Sequence, residues 1–268
     1  MISIVAALSL GLVVFAEVEP PMKAELAAIT ARGRDLAGYD QAAWHASDAL
    51  KTAELKEGAI TGYLARKTDK GWVVAFGRLD KSREKYLIAF EASQGKNPET
   101  FTITEFDPPK VDTAFFRSAA IGIETALADF TAHFEGEKRP YNVAVLPADE
   151  GELWLYLVPA PTKAGVWPLG ADIRYRLSAD GLKIQSKRQL HKSVIEYSPQ
   201  KQEAGNQLAA HMHNHILAET PEDTDVFHVL TRKPASPELI VTQHFLFVIE
   251  PDGEAKFVRK NESVPKSP

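Results

Sequence analysis

The chain has no cysteine. Disulfides, thiolate nucleophiles, iron–sulfur ligation and cysteine-type zinc fingers are therefore excluded. The absence fits an oxidising compartment without requiring one. Beyond the first sixteen residues no apolar run approaches the roughly 18 residues that a membrane-crossing helix needs, so the folded body is not expected to be an integral membrane protein. The His-Glu-x-x-His helix of the common zinc proteases is missing. So are the G-x-S-x-G elbow, the dinucleotide G-x-G-x-x-G and the phosphate-loop lysine motif. There is no long Gly/Ser linker and no internal repeat. Net charge is −5, which gives no general attraction to polyanions. The aromatic platforms of single-strand binders are not evident, and no nucleic-acid partner is expected.

What is present is an ordinary globular composition, 44% hydrophobic and 25% charged over 268 residues. That is enough for one large domain or two small ones. Ile2 to Ala16 carries no charge, and Glu17-Val18-Glu19-Pro20 ends the run. With Val14-Phe15-Ala16 as the cleavage context, residues 1–16 read as a secretory signal peptide, although the usual basic start is missing. A mis-chosen start, a buried first strand and an uncleaved anchor are the alternatives. The expected location is the periplasm or the cell exterior.

Periodicity predicts an α+β fold: predominantly antiparallel sheet, one long packing helix and an N-terminal helical pair. The pair is a helix from Met22 to Leu36 stopped at Gly38, then a second capped by Asp40 and carrying Ala43, Ala46 and Leu50. Short runs at Ile60–Ala65, Trp72–Leu79, Tyr86–Ala92 and Phe101–Phe106 read as a meander that ends at Pro108-Pro109. Its turns carry Arg66, Lys67, Lys70, Arg78, Lys81, Arg83 and Lys85, a solvated face first and an anion-binding surface second. The long helix runs from Asp112 to about His133, with a stripe of Phe116, Ala119, Ile123, Leu127 and Phe130. Three hairpins follow, turning at Asp149-Glu150-Gly151, Asp180-Gly181 and Asp252-Gly253, where glycine accepts positive φ. We read 22–260 as one domain, with any subdivision near 108–112 or 136–140, and 261–268 as a frayed tail.

Six of the eight histidines lie at or after position 191. Glu203 to Asp225 holds His211, His213 and His215 with Glu203, Glu219, Glu222, Asp223 and Asp225, and no lysine or arginine. Imidazoles and carboxylates without a competing cation suit a divalent ion, zinc by default, with manganese, iron or nickel open. On a strand, alternate histidines share a face about 7 Å apart. On a helix, His211 and His215 form an i, i+4 pair. The candidate ligands are His211, His213, His215 and Asp225, with His191 and His228 as further donors. Such a site would activate water, with Glu196 or Glu219 as proton shuttle. Ser193, between His191 and Glu196, makes a local Ser/His/acid cluster whose geometry proximity in sequence cannot supply.

His213-Asn214-His215 and Asp225 resemble the paired histidines and acidic ligand of the metalloprotease family that cleaves isopeptide bonds. The chain departs from that pattern in three places. Ile216 stands where the family has proline, Glu222 where it has serine, and the interval to Asp225 is one residue short.

Residues 172–201 hold seven basic side chains against Asp172, Asp180 and Glu196. Complementarity with the acidic segment that follows is the first account, and a groove for an anionic or acidic ligand the second. Because no catalytic set is complete, the leading functional reading is a non-catalytic binding or structural protein of the envelope. The alternative is a metal-dependent hydrolase centred on the His-x-His pair.

Overall fold

The computed structural model describes residues 23–134, 138–198 and 210–261. The signal-peptide segment and the tail beyond Asn261 lie outside the described residues. The fold is mixed α+β, with three helices and mainly antiparallel sheets. None of the described helices is long and apolar enough to cross a membrane.

The N-terminal helical pair is instead one helix, α1 (Lys23–Leu50). Gly38 does not stop it, and Asp40 lies inside it. Mid-helix glycine costs about 1 kcal/mol relative to alanine, so the glycines need another reason, and packing supplies it. A Cβ at Gly38 would lie 2.8 Å from the Trp72 ring, and one at Gly33 would lie 2.4 Å from Val226 Cβ and 2.6 Å from the carbonyl oxygen of Asp223. Both are points of close approach. Gly33→Ala should lower the unfolding free energy by about 1–2 kcal/mol, because overpacking against a backbone oxygen outweighs the gain in helix propensity. A urea midpoint at or above that of the wild type would refute this contact.

The meander is present as β1 (Gly62–Thr68), β2 (Gly71–Leu79), β3 (Tyr86–Gln94) and β4 (Phe101–Asp112), in that order in the sheet. Pro108-Pro109 does not end it. β4 continues past a register irregularity to pair Val111 with Leu87 and Asp112 with Tyr86. Helix α2 (Phe115–His133) follows, and Asp112 Oδ1 accepts hydrogen bonds from the backbone N–H groups of Ala114 and Arg117, both 3.1 Å. Its buried side includes Phe116, Ala119, Ile121 and Ala126, while Leu127 is exposed, so the packed stripe is rotated from the expected one.

A second sheet holds β5 (Tyr141–Pro147), β6 (Leu153–Pro159), β8 (Ile173–Leu177) and β9 (Ile184–Gln189). Strand alternation sends Ala144, Leu146, Tyr156 and Val158 into the core beneath α1, together with Val74 and Phe76 of the first sheet. It sends Val145, Leu155 and Leu157 into the core beneath α2. The two sheets thus act as one layer between the two helices. The β8–β9 turn uses Gly181 at φ 77°, where a Cβ would sit 2.2 Å from the Ser118 carbonyl of α2.

The remaining chain builds a smaller unit. β7 (Trp167–Leu169) pairs with β10 (Ile195–Tyr197). β11 (His211–Asn214), β12 (Glu238–Val241), β13 (Phe245–Ile249) and β14 (Ala255–Lys260) form the last sheet, and β11 and β12 run parallel. Parallel neighbours need a crossover, and α3 (Asp223–Thr231) supplies it. Val226 and Val229 of α3 join Leu26 and Ile29 of α1 with Phe245, Phe247 and Ile249 in a third core.

Candidate metal centre

The β11–α3–β12 unit decides where the histidines go. Ligands in such units collect at the carboxyl ends of strands, where the following helix begins. His213 and His215 lie at the carboxyl end of β11, and Asp225 lies in the first turn of α3. The backbone N–H of Glu222 donates to Asp225 Oδ2 at 2.7 Å, which fixes the carboxylate at the helix start. His191 arrives from the end of β9. Asp172 holds it there by accepting the backbone N–H of His191 at 3.1 Å, while the Asp172 carbonyl takes the N–H of Leu190 at 2.9 Å.

These four side chains converge. His191, His213, His215 and Asp225 are all buried, and each offers a ligand atom within 4.8 Å of the others. His215 Nε2 lies 3.0 Å from both His191 Nε2 and His213 Nε2. Asp225 Oδ1 lies 3.0 Å from His191 Nε2 and 3.2 Å from His213 Nε2, and Oδ2 lies 3.2 Å from His215 Nε2. Four donors about 2.0 Å from a central zinc would stand about 3.3 Å apart at the corners of a tetrahedron. The observed spacings are close to that.

The outer nitrogens settle the tautomers. His191 Nδ1 is 2.8 Å from Asp172 Oδ1, His213 Nδ1 is 2.8 Å from Glu238 Oε1, and His215 Nδ1 is 2.9 Å from the Thr220 carbonyl oxygen. All three partners are acceptors, so each Nδ1 carries a proton, and each ring in its neutral form turns an Nε2 lone pair inward. Among the described residues, the buried Asp225 Oδ1 has no partner but these ring nitrogens. Three lone pairs and a carboxylate oxygen facing one another repel unless positive charge lies between them. Around the ligands, Glu238 is also paired with Arg232 and takes a hydrogen bond from Tyr197 Oη at 3.0 Å.

Without an ion, protons supply that positive charge. Burial alone would lower His191, but Asp172 and Asp225 outweigh it and hold the ring well above its usual range. Burial also opposes charge on His213, and its contacts with Asp225 and Glu238 push it up to about 9. Asp225 would be raised by burial, yet the facing histidines hold it well below the usual carboxylate range.

No protein-family model, curated protein or solved structure matches this chain. The site is therefore read from its own residues. His211 is outside the ligand set. It shares the strand with His213, but its ring stands edge-on to Tyr197, centroids 4.8 Å apart. His228 is also outside it. The ring is buried against Tyr197, and burial with the nearby Arg232 pushes it down to about 3. Glu196 pairs with Arg139 at 3.3 Å on the outer face of β10. Glu219 holds the turn before β13, accepting from Thr242 Oγ1 at 2.7 Å and from the backbone N–H of His244 at 3.1 Å. Neither glutamate joins the ligand cluster. Asp172, Glu238 and Thr220 orient the ligands without any regular spacing that would have flagged them in the sequence.

The basic stretch of residues 172–201 is largely matched from within. Arg174 pairs with Asp223, Arg176 with Glu152 and Arg188 with Glu222, while Lys187 reaches Asp129 at 2.6 Å.

Proposed function

We propose that this chain is a metal-binding protein in which His191, His213, His215 and Asp225 hold one divalent transition ion in a closed four-ligand shell. The observation that carries this reading is the inward convergence of three Nε2 lone pairs whose Nδ1 protons are already committed to acceptors. Charge supports a divalent ion. Asp172, Asp225 and Glu238 are three buried carboxylates against the single guanidinium of Arg232, which leaves two negative charges for the ion to neutralise. Three imidazoles and one carboxylate oxygen favour zinc.

A closed shell with oriented outer contacts is the pattern of a structural centre, whereas a catalytic zinc keeps a position for water. The ion would tie the end of β9, the end of β11 and the start of α3 into one body. Among the described residues, the small cavity beside the histidines, about 60 Å3, is lined by no carboxylate that could serve as a base. The role is accordingly a non-catalytic, metal-stabilised binding or structural protein, and the apolar run of Ile2–Ala16 supports a location in the envelope or outside the cell. The hydrolase reading needs both an open coordination position and a proton shuttle, and Glu196 and Glu219 are engaged elsewhere. An acidic ligand at Arg174, Arg176, Lys187 or Arg188 would compete with the internal carboxylates already paired there.

Elemental analysis of tag-free protein prepared without chelator tests the proposal. About one transition ion per chain is expected, falling to background in a His213→Ala/His215→Ala variant. Wild-type protein that stays metal-free after exposure to zinc, cobalt and manganese would refute the centre.

A further inference from the structure

The basic side chains around the first meander meet different fates. Lys67 pairs with Asp35 at 2.7 Å, Arg83 pairs with Glu124, and Arg66 lies over the Phe115 ring. Lys70, Lys81 and Lys85 are exposed to solvent. Arg78 differs from all of these. It is half-buried, and among the described residues no carboxylate lies within ion-pair distance of it. Among the described residues its side chain makes one hydrogen bond, a long 3.4 Å contact from Nη1 to the carbonyl of Leu79. Its planar fork is therefore available to match an oxyanion with two parallel bonds.

Arg78 lines a cavity of about 360 Å3 between the open end of the β1–β2 ladder and α2. That volume lies within the range of small-molecule sites. Leu64, Leu79, Tyr86, Ala120 and Ile123 supply apolar lining. The two acids on the rim are already committed. Asp80 accepts from Ser82 Oγ at 2.7 Å and from the backbone N–H of Lys85 at 3.1 Å, and Glu124 is held by Arg83. Arg83 is itself fixed with φ 61°, an uncommon backbone state for a side chain of this size, and its carbonyl accepts from Arg117 Nε at 3.1 Å. Among the described residues, Arg78 is thus the lining cation without a carboxylate partner.

We propose that this cavity binds a small monocarboxylate with an aromatic or branched apolar body. The carboxylate takes the fork of Arg78, and the body lies against Leu64, Leu79, Tyr86 and Ile123. A doubly charged phosphate is disfavoured, because Asp80 and Glu124 repel the second charge. The site is separate from the metal centre, and metal content reports on that centre independently.

Calorimetry and amide NMR on the full chain with phenylacetate, phenyl phosphate and 2-phenylethanol test this. Saturable binding of phenylacetate is expected, with the neutral alcohol and the Arg78→Gln variant each weaker by about tenfold or more, the scale of a lost charge-assisted pair. Ile123→Trp, which fills the cavity and leaves Arg78 in place, should abolish binding without changing metal content, and it decides the matter if Arg78→Gln does not fold. No saturable response to phenylacetate, equal binding by Arg78→Gln, or full binding by Ile123→Trp would each overturn the site. Phenyl phosphate binding as tightly as phenylacetate would overturn the ligand class.

Discussion

Stripping the ion with a chelator should lower the melting temperature of this protein by roughly 8–16 °C, and zinc should restore it. The size follows from linkage. A ligand bound only by the folded chain, at a free concentration about a thousandfold above its dissociation constant, adds about 4 kcal/mol. For a chain of this length each kcal/mol moves the midpoint by about 2–4 °C. The four donors are brought together by the end of β9, the end of β11 and the start of α3, so the unfolded chain has no preformed shell. The pH dependence has opposite signs with and without the ion. In ion-free protein, His213 is pushed up to about 9 from an ordinary 6.5. Its protonated form therefore stabilises the fold fully below about 6.5, and that contribution is lost as pH rises through about 9. In loaded protein the rings are neutral ligands and protons compete with the ion, so the ion's contribution grows as pH rises. The gap between chelated and loaded melting curves should widen from pH 6 to pH 9. A gap that is constant or absent across that range would mean that no ion occupies the cluster.

The parts of this arrangement that could be read in advance are those encoded locally. Asp-Gly and Glu-Gly steps marked the three hairpins, since positive φ at Gly151, Gly181 and Gly253 is a property of the turn itself. The 3.6-residue period placed α2, and the absence of lysine and arginine around the histidines marked the acidic segment. What could not be read depends on distant partners. Gly33 and Gly38 look like helix stops until Val226 and Trp72 are seen against them. The Pro108-Pro109 step looks like a strand end, yet β3 carries β4 beyond it. At the site, period-two alternation grouped His211 with His213 and His215. Tyr197 takes up His211 instead, and His191, named in the sequence only as a further donor beside His228, fills the fourth corner from a different sheet. The parallel pairing of β11 with β12 was hidden for the same reason. It requires α3 as a crossover, and a nine-residue helix of mixed polarity gives a weak periodic signal.

Replacing Asp223 with alanine should cost about 3 kcal/mol of stability and weaken zinc binding about 10- to 100-fold, although Asp223 is not a ligand. Its carboxylate is fully buried at the start of α3. Oδ1 takes Arg32 Nε at 3.0 Å and Nη2 at 2.9 Å from α1, and Oδ2 takes Tyr156 Oη at 2.8 Å from β6 and pairs with Arg174 of β8. The single side chain therefore fastens α3 to α1 and to the central layer. Removing one member of a buried ion pair costs about 3–5 kcal/mol because the partners keep their charge. Arg32 and Arg174 retain some solvent, which sets the expectation at the lower end. The effect on zinc follows from position. Asp225 lies two residues further along the same first turn, and a helix start that is no longer anchored presents its carboxylate to the histidines less well. Loss of an orienting contact outside a metal shell typically weakens binding by that tenfold to hundredfold range. Asp223→Asn, which keeps an acceptor for Tyr156, should lose less stability than Asp223→Ala. Urea unfolding of the ion-free variants isolates the first effect, and competition with a chromogenic chelator measures the second. If Asp223→Ala unfolds within 0.5 kcal/mol of the wild type, a surface-like change, the anchor does not hold α3. If its zinc affinity is unchanged while stability falls, the helix start is positioned by the Val226 contacts in the third core and not by this carboxylate.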